Sequence, residues 1–254
     1  TRAQPRRVAE FLVPVAPLAE QQRIADKLDT VLARVDACRD RLARVAPLLK
    51  RFRQSVLAAA TSGLLTKDLN NSEARAWTKV TLDSLCSSVT DGPFGSHLKS
   101  DDYVEYGASV VRLENIGHLT FDSSKQTFIS LEKYTSLERY KLAEGDLLFS
   151  SFVDEEVRVC RFPGDFGSHA INKADCFRLR VNSTACDPNF LMYRLACKTT
   201  YLGLKEQVHG ATRPRVNLGQ LRRFEFELPS REEQAEIARR IETLFAFAKR
   251  LESR

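Results

Sequence analysis

The sequence predicts an α+β protein: a globular mixed α/β domain attached to a long antiparallel two-helix coiled coil. Three observations predict it. Residues 18–60 place Ile24, Leu28, Val31, Val35, Cys38, Leu42, Val45, Leu49, Phe52, Val56 and Ala59 in alternating steps of four and three, the period of a coiled-coil seam. Residues 231–254 repeat that pattern through Ile237, Ile241, Leu244, Ala248 and Leu251. Between the two, short apolar runs are broken by glycine, proline and aspartate, the punctuation of a domain with many strands.

The first helix is expected over residues 18–62. Some forty helical residues at 1.5 Å each make a rod of about 60 Å, far beyond the usual helix of about 11–12 residues. Pro47 removes a backbone donor inside it. Because the seam resumes in phase at Leu49, the expectation is a kink near residues 43–47 and not an end. Gly63 then fits a C-terminal cap, and residues 61–76 read as a polar loop.

The second helix, 231–254, is an internal copy of the first. A shift of 213 residues aligns Glu20-Gln21 and Ile24-Ala25 with Glu233-Gln234 and Ile237-Ala238, and Thr30 and Ala33 with Thr243 and Ala246. Apolar, proline-ended runs precede both helices, at 11–17 and 224–229, and Ser230 with Glu233 forms a capping-box pattern. The second helix starts where the insert ends and the first stops where it begins. They must therefore run antiparallel, with 231–254 expected against roughly residues 37–60. That leaves Ile24, Leu28, Val31 and Val35 as an unpaired apolar stripe about three turns long, the predicted subunit interface. A second copy of the chain, related by a two-fold axis, is the expected cover, giving a homodimer through the first helix.

Along the insert, residues 77–86 read as a strand entering a helical turn, and 90–102 as a loop with two glycines and a proline. Residues 108–117 read as a strand ending at a turn, and Leu142 to Phe152 as a turn followed by a buried strand. Further strands are expected in VRVCRFPGD, in DCFRLRVN and in RRFEFELP. Residues 188–205 read as one helix, with Asp187 as N-cap and Pro188 at its first position.

At 254 residues and 43% hydrophobic, the chain can bury a substantial core. No apolar run approaches the roughly 18 residues of a membrane span, and no signal peptide is recognised at its start. Six cysteines lack CxxC pairing or ligand-like spacing with the four histidines, so no metal site is expected. They read as reduced thiols of a cytoplasmic protein, with Cys38 expected to be buried in the helical seam. The net charge is +6, but residues 77–228 hold nineteen basic and twenty acidic side chains. A nucleic-acid surface there must be local, and residues 205–223 supply five basic side chains against one acidic.

Intrinsic chemistry is sparse. Asp187-Pro188-Asn189-Phe190 approaches the (D/N)PP(Y/F) motif of amino-methyltransferases, but the second proline is missing and helix capping explains it better. There is no P-loop pattern. The paired carboxylates Asp101-Asp102 and Asp154-Glu155-Glu156 read as solvated loops. The chain is therefore expected to be non-catalytic and to need no cofactor.

Several side chains suit DNA. Arginine favours guanine and asparagine adenine, while phosphate contacts position the protein. HGATRPR supplies His209, Thr212, Arg213 and Arg215 around Gly210. The DGPFGSHLK loop supplies Ser96, His97 and Lys99, and Arg112 and Asn115 flank a strand end. Ser151 follows the GDLLF strand, with Ser150 beside it; His169 and Lys173 are weaker candidates.

DYVEYGASVVRLENIG, YKLAEGDLLFSS and GATRPRVNLGQLRRFEFELP, in this order and framed by PLAEQQRIADKLD and LPSREEQAEIARRIE, resemble the specificity subunit of Type I restriction–modification enzymes. The resemblance covers nearly the whole chain. It implies a target recognition domain over 77–229 between two spacer helices, and makes residues 1–17 a terminal strand remnant of a preceding recognition domain. In that family two such domains each read half of a bipartite double-stranded DNA sequence. Methyltransferase subunits bring S-adenosylmethionine and the chemistry, and restriction subunits bring ATP-driven translocation and cutting. This sequence departs by having one recognition domain and a second helix of about 24 residues, which implies a half-subunit, a fragment or a naturally split form. A methyltransferase subunit then competes with a second copy for the helix stripe. The competing reading is a coiled-coil scaffold that binds protein and not DNA.

Overall fold

The computed structural model describes residues 12, 14–69, 77–153, 155–208 and 214–252. The chain divides into two compact units, residues 1–50 and 51–254. The architecture is mixed α+β, as the sequence predicts.

Helix α1, Leu18–Thr61, carries the first heptad run and continues through Pro47. In the first unit its apolar stripe is open in the single chain: Ile24, Leu28, Val31 and Val35 are 46%, 54%, 48% and 40% exposed. Cys38 is exposed too. Its expected burial in the seam is not met.

In the second unit the last turns of α1 bury Val56, Leu57 and Ala60. Gly63 takes a left-handed φ of +74° at the turn that ends the helix, which costs a residue without a Cβ little. The following segment is not the loop expected from its polarity. Leu64–Leu69 forms a 3-10 turn, and Thr66 is buried with its hydroxyl donating to the Glu233 carboxylate at 2.7 Å.

The strands follow: β1 Thr78–Thr81, β2 Cys86–Thr90, β3 Tyr103–Val104, β4 Ala108–Val111 and β5 Phe128–Ile129. Helix α2, Leu131–Ser136, precedes β6 Leu147–Ser150, β7 Val159–Arg161, β8 Ala170–Asn172 and β9 Cys176–Val181. Helices α3 Pro188–Ala196, α4 Lys198–Glu206 and α5 Leu218–Arg222 come next, before β10 Glu225–Leu228 and α6 Arg231–Glu252. Two four-stranded sheets result, ordered β2-β9-β6-β7 and β3-β5-β4-β8, with β1 and β10 paired separately. The single helix predicted over 188–205 is two, broken at Cys197, whose backbone is extended. Asp187 caps α3 through Asn189 and Phe190, with Pro188 at its start, as expected.

Helix α6 runs antiparallel to the end of α1. Glu252 pairs with Arg53 at 2.8 Å, and Glu233 meets Thr66. The overlap thus lies further along the chain than the predicted 37–60. Ile237, Ile241 and Ala248 are fully buried, and the first two share one core cluster with Val56, Leu57, Phe149 and Phe190. The capping box is half made: Ser230 accepts from the Glu233 amide at 3.3 Å, while the Glu233 carboxylate is taken by Thr66. No described helix is long and apolar enough to cross a membrane.

Candidate nucleic-acid interface

Strand register brings several loops to one edge of the second unit. β4 and β8 run parallel, with Val111 opposite Asn172, so Arg112 and Lys173 leave the sheet together. β6 and β2 both run antiparallel to β9, with Ser150 opposite Cys176 and Thr90 opposite Arg178. Ser151, Asp91 and Asp175 therefore meet. The stretch 151–153 pairs with 214–216: Phe152 bridges Arg215, the Val153 amide donates to Pro214, and the Val216 amide to Ser151.

Asp175 is the hub of this edge. Its backbone takes a left-handed φ of +69°, uncommon for a residue with a Cβ. Its carboxylate accepts from Ser151 Oγ at 3.0 Å and pairs with Arg215 Nη1 at 3.3 Å. Its amide donates to Asp91 Oδ1 at 2.9 Å, which also accepts from the Gly92 amide at 2.7 Å. Gly92 is required sterically: a Cβ there would lie 2.2 Å from the Lys173 carbonyl carbon. Arg215 stacks over the Phe152 ring at 4.2 Å.

Burial pushes the Asp91 carboxyl up to about 6, with the nearby Asp175 charge adding to the rise and the two amide donors opposing it. Ionised Asp91 therefore weakens the fold above pH 6, and that penalty fades as pH falls through 6 and is gone only below about 4, where folded and unfolded forms are both protonated. The full shift would be worth about 3 kcal/mol; the group is partly exposed, so screening reduces this to about 1 kcal/mol. Asp91→Asn keeps the Oδ1 acceptor and should stabilise the chain by about that amount at pH 7.5. The gain should vanish below about pH 3.5, as urea titrations at the two pH values will register.

The predicted DNA-facing residues have separate fates. Ser96 and His97 sit exposed on the 3-10 turn Gly95–His97, and Lys99 is exposed beyond it. Arg112 is partly exposed, 3.9 Å from Glu114. Arg215 is on the edge. Two assignments need correction. Asn115 is 1% exposed: its Oδ1 accepts from the Arg112 amide and its Nδ2 donates to the Asp122 and Lys125 carbonyls. With every polar atom engaged, it pins a loop and has nothing left for a base. Ser151 is equally buried, and its hydroxyl is committed to Asp175. His209, Thr212 and Arg213 lie outside the described residues.

Among the other basic side chains of 205–223, Lys205 lies over the Tyr201 ring at 5.5 Å. Arg222 donates to the Val89 carbonyl and lies 3.5 Å from Asp83. Sequence reasoning missed Phe94, 56% exposed in the glycine-proline loop, and Asp91, Arg139 and Asp175. An exposed aromatic between Pro93 and Gly95 was a legible signal; the others depend on non-local register. Asp102, part of a carboxylate pair, is held below its usual range, first by the Lys99 amide and then by Lys133. Among the described residues no group of three or more His, Cys, Asp or Glu is placed to hold a metal ion.

The loops at this sheet edge carry exposed Arg215 and, beyond β2, exposed Phe94. The family described as the Type I restriction modification DNA specificity domain matches residues 75–254, and the chain belongs to this family. It is 32% identical to the Type I restriction enzyme EcoBI specificity subunit of Escherichia coli over 97% of the chain and 54% of that protein. It is 33% identical to the StySPI specificity subunit of Salmonella potsdam over 94% of the chain and 52% of that protein. The chain thus spans about half the length of these curated relatives. Among solved structures, a chain from a study of type I R-M complex assembly and conformational transition aligns with a TM-score of 0.67 at 19% identity, covering 98% of this chain and 57% of that one. The HsdS subunit of Thermoanaerobacter tengcongensis aligns at 0.57 and 20% identity, covering 95% and 54%. These two likenesses establish the fold.

Proposed function

We propose that this chain is the non-catalytic DNA-reading component of a Type I restriction–modification assembly, with residues 77–229 as its target recognition domain. It reads one half of a bipartite double-stranded target in the cytoplasm and scaffolds methyltransferase and restriction subunits, which supply the chemistry. The observation that carries the reading is the family match across residues 75–254, and the exposure of Ser96, His97, Lys99 and Arg215 is consistent with it. Residues 18–62 and 231–254 act as spacer helices. Two copies pair through Ile24, Leu28, Val31 and Val35 and read an interrupted palindrome.

Arg213→Ala and Arg215→Ala should weaken DNA binding without unfolding the chain. A lost base contact costs about 1–3 kcal/mol and relaxes one position, whereas a lost phosphate contact weakens all sequences alike. Duplex binding titrated against salt separates these, since phosphate contacts set the log–log slope; unchanged binding in the double variant removes the loop from the interface. The scaffold reading is favoured only by the even charge balance of 77–228, and failure to bind heparin would revive it.

The spacer helix should also act as a ruler. One heptad inserted between Leu32 and Val35 lengthens it by roughly 10 Å. At about 3.4 Å per base pair, the unread spacer should grow by about three base pairs. Sequencing of methylated sites tests this, and an unchanged spacing rejects it.

A further inference from the structure

A cleft of about 340 Å³ opens beside the end of β2, lined by Thr90, Asp91, Gly92, Phe94, Arg139 and Tyr140. Its polar groups are unevenly satisfied. Asp91 accepts two backbone N–H donors through Oδ1, but among the described residues no cation neutralises it. Thr90 Oγ1 is buried and has no hydrogen-bond partner. Arg139, exposed, stacks on the Tyr140 ring at 4.5 Å and donates to its hydroxyl, which leaves most of its five N–H donors free. Phe94 forms an apolar wall.

We propose that this cleft reads one C·G base pair from the major groove, Asp91 accepting from cytosine N4 and Arg139 donating to guanine O6 and N7. The inference rests on the DNA-reading function proposed above and names the base it selects. An unneutralised carboxylate repels phosphate, so on a DNA-facing edge it gains only from an amino donor on a base. It rejects guanine O6 and thymine O4, which are acceptors. Cytosine and adenine both offer an amine there. The guanidinium decides between them: guanine, opposite cytosine, presents the two acceptors that arginine grips bidentately, while thymine presents one acceptor and a methyl. The Thr90 hydroxyl has no protein partner to lose when a ligand or bridging water arrives. Carboxylates that weaken the fold at neutral pH, as Asp91 does, concentrate at working sites.

The test is selection from a randomised duplex pool by the full chain co-assembled with its methyltransferase subunits, using wild type, Asp91→Asn and Arg139→Gln. Wild type should select C·G at one position. Both variants should lose that preference at the same position, by roughly 5- to 150-fold, with other positions intact. Asp91→Asn should move it towards A·T, because asparagine pairs bidentately with adenine. Variant preferences that superimpose on wild type, or that weaken at every position alike, overturn the assignment while leaving DNA reading in place. A wild-type assembly that selects no sequence overturns both. Near-ultraviolet circular dichroism confirms that each variant is folded.

Discussion

Ile241→Ala should cost the second unit about 2–5 kcal/mol, the range for truncating a fully buried aliphatic side chain whose surroundings collapse only in part. Ile241 is wholly buried and belongs to the core cluster that joins α6, the end of α1 and the strand face of β6. Against a domain stability of about 5–15 kcal/mol, that is a large share, and the urea midpoint should fall accordingly. The ion pairs on the same helix provide the contrast. Arg53–Glu252 and Arg240–Asp68 have good geometry, at 2.8 and 2.6 Å, but each has an exposed partner. Solvent screening leaves such pairs little net worth, so Arg53→Ala should barely move the midpoint. If Arg53→Ala costs more than Ile241→Ala, apolar burial is not what fastens α6.

The chain at tens of micromolar should sediment as a dimer, and Leu28→Glu/Val31→Glu should sediment as a monomer. Full burial of such a side chain is worth about 1.5–3 kcal/mol, and with roughly half of each already covered, about half of that is available. A two-fold pairing collects it from Ile24, Leu28, Val31 and Val35 of both copies. Leu32, 56% exposed, borders the same stripe. The double variant removes four of these contacts per dimer and would bury four unpaired carboxylates, a change of well over 100-fold in affinity. A monomeric wild type would reject self-association.

The helices and most strands were legible because their signals are local. The heptads of 18–60 and 231–254, and the alternation of Phe177, Leu179 and Val181, need no knowledge of distant residues. The edge was only partly legible. Ser96, His97, Lys99 and Arg215 could be read as exposed loop residues, since glycine and proline mark such loops. Asp175 could not: its role requires Asp91, Ser151 and Arg215, which adjoin it only through sheet register. Asn115 misled for the same reason, because the carbonyls that absorb its amide belong to a turn seven to ten residues on. The short strand β8 carried too little alternation to reveal its parallel pairing with β4.

The Arg53–Glu252 pair has a consequence for how this unit could be inherited. It brings the side chains at the two ends of a 200-residue stretch, residues 53 and 252, to within 2.8 Å of each other. A segment whose two ends meet can be excised and replaced by another of different internal sequence without moving the flanking chain, provided the replacement closes the same gap. Exchange by recombination would then change what is read and leave the junction undisturbed.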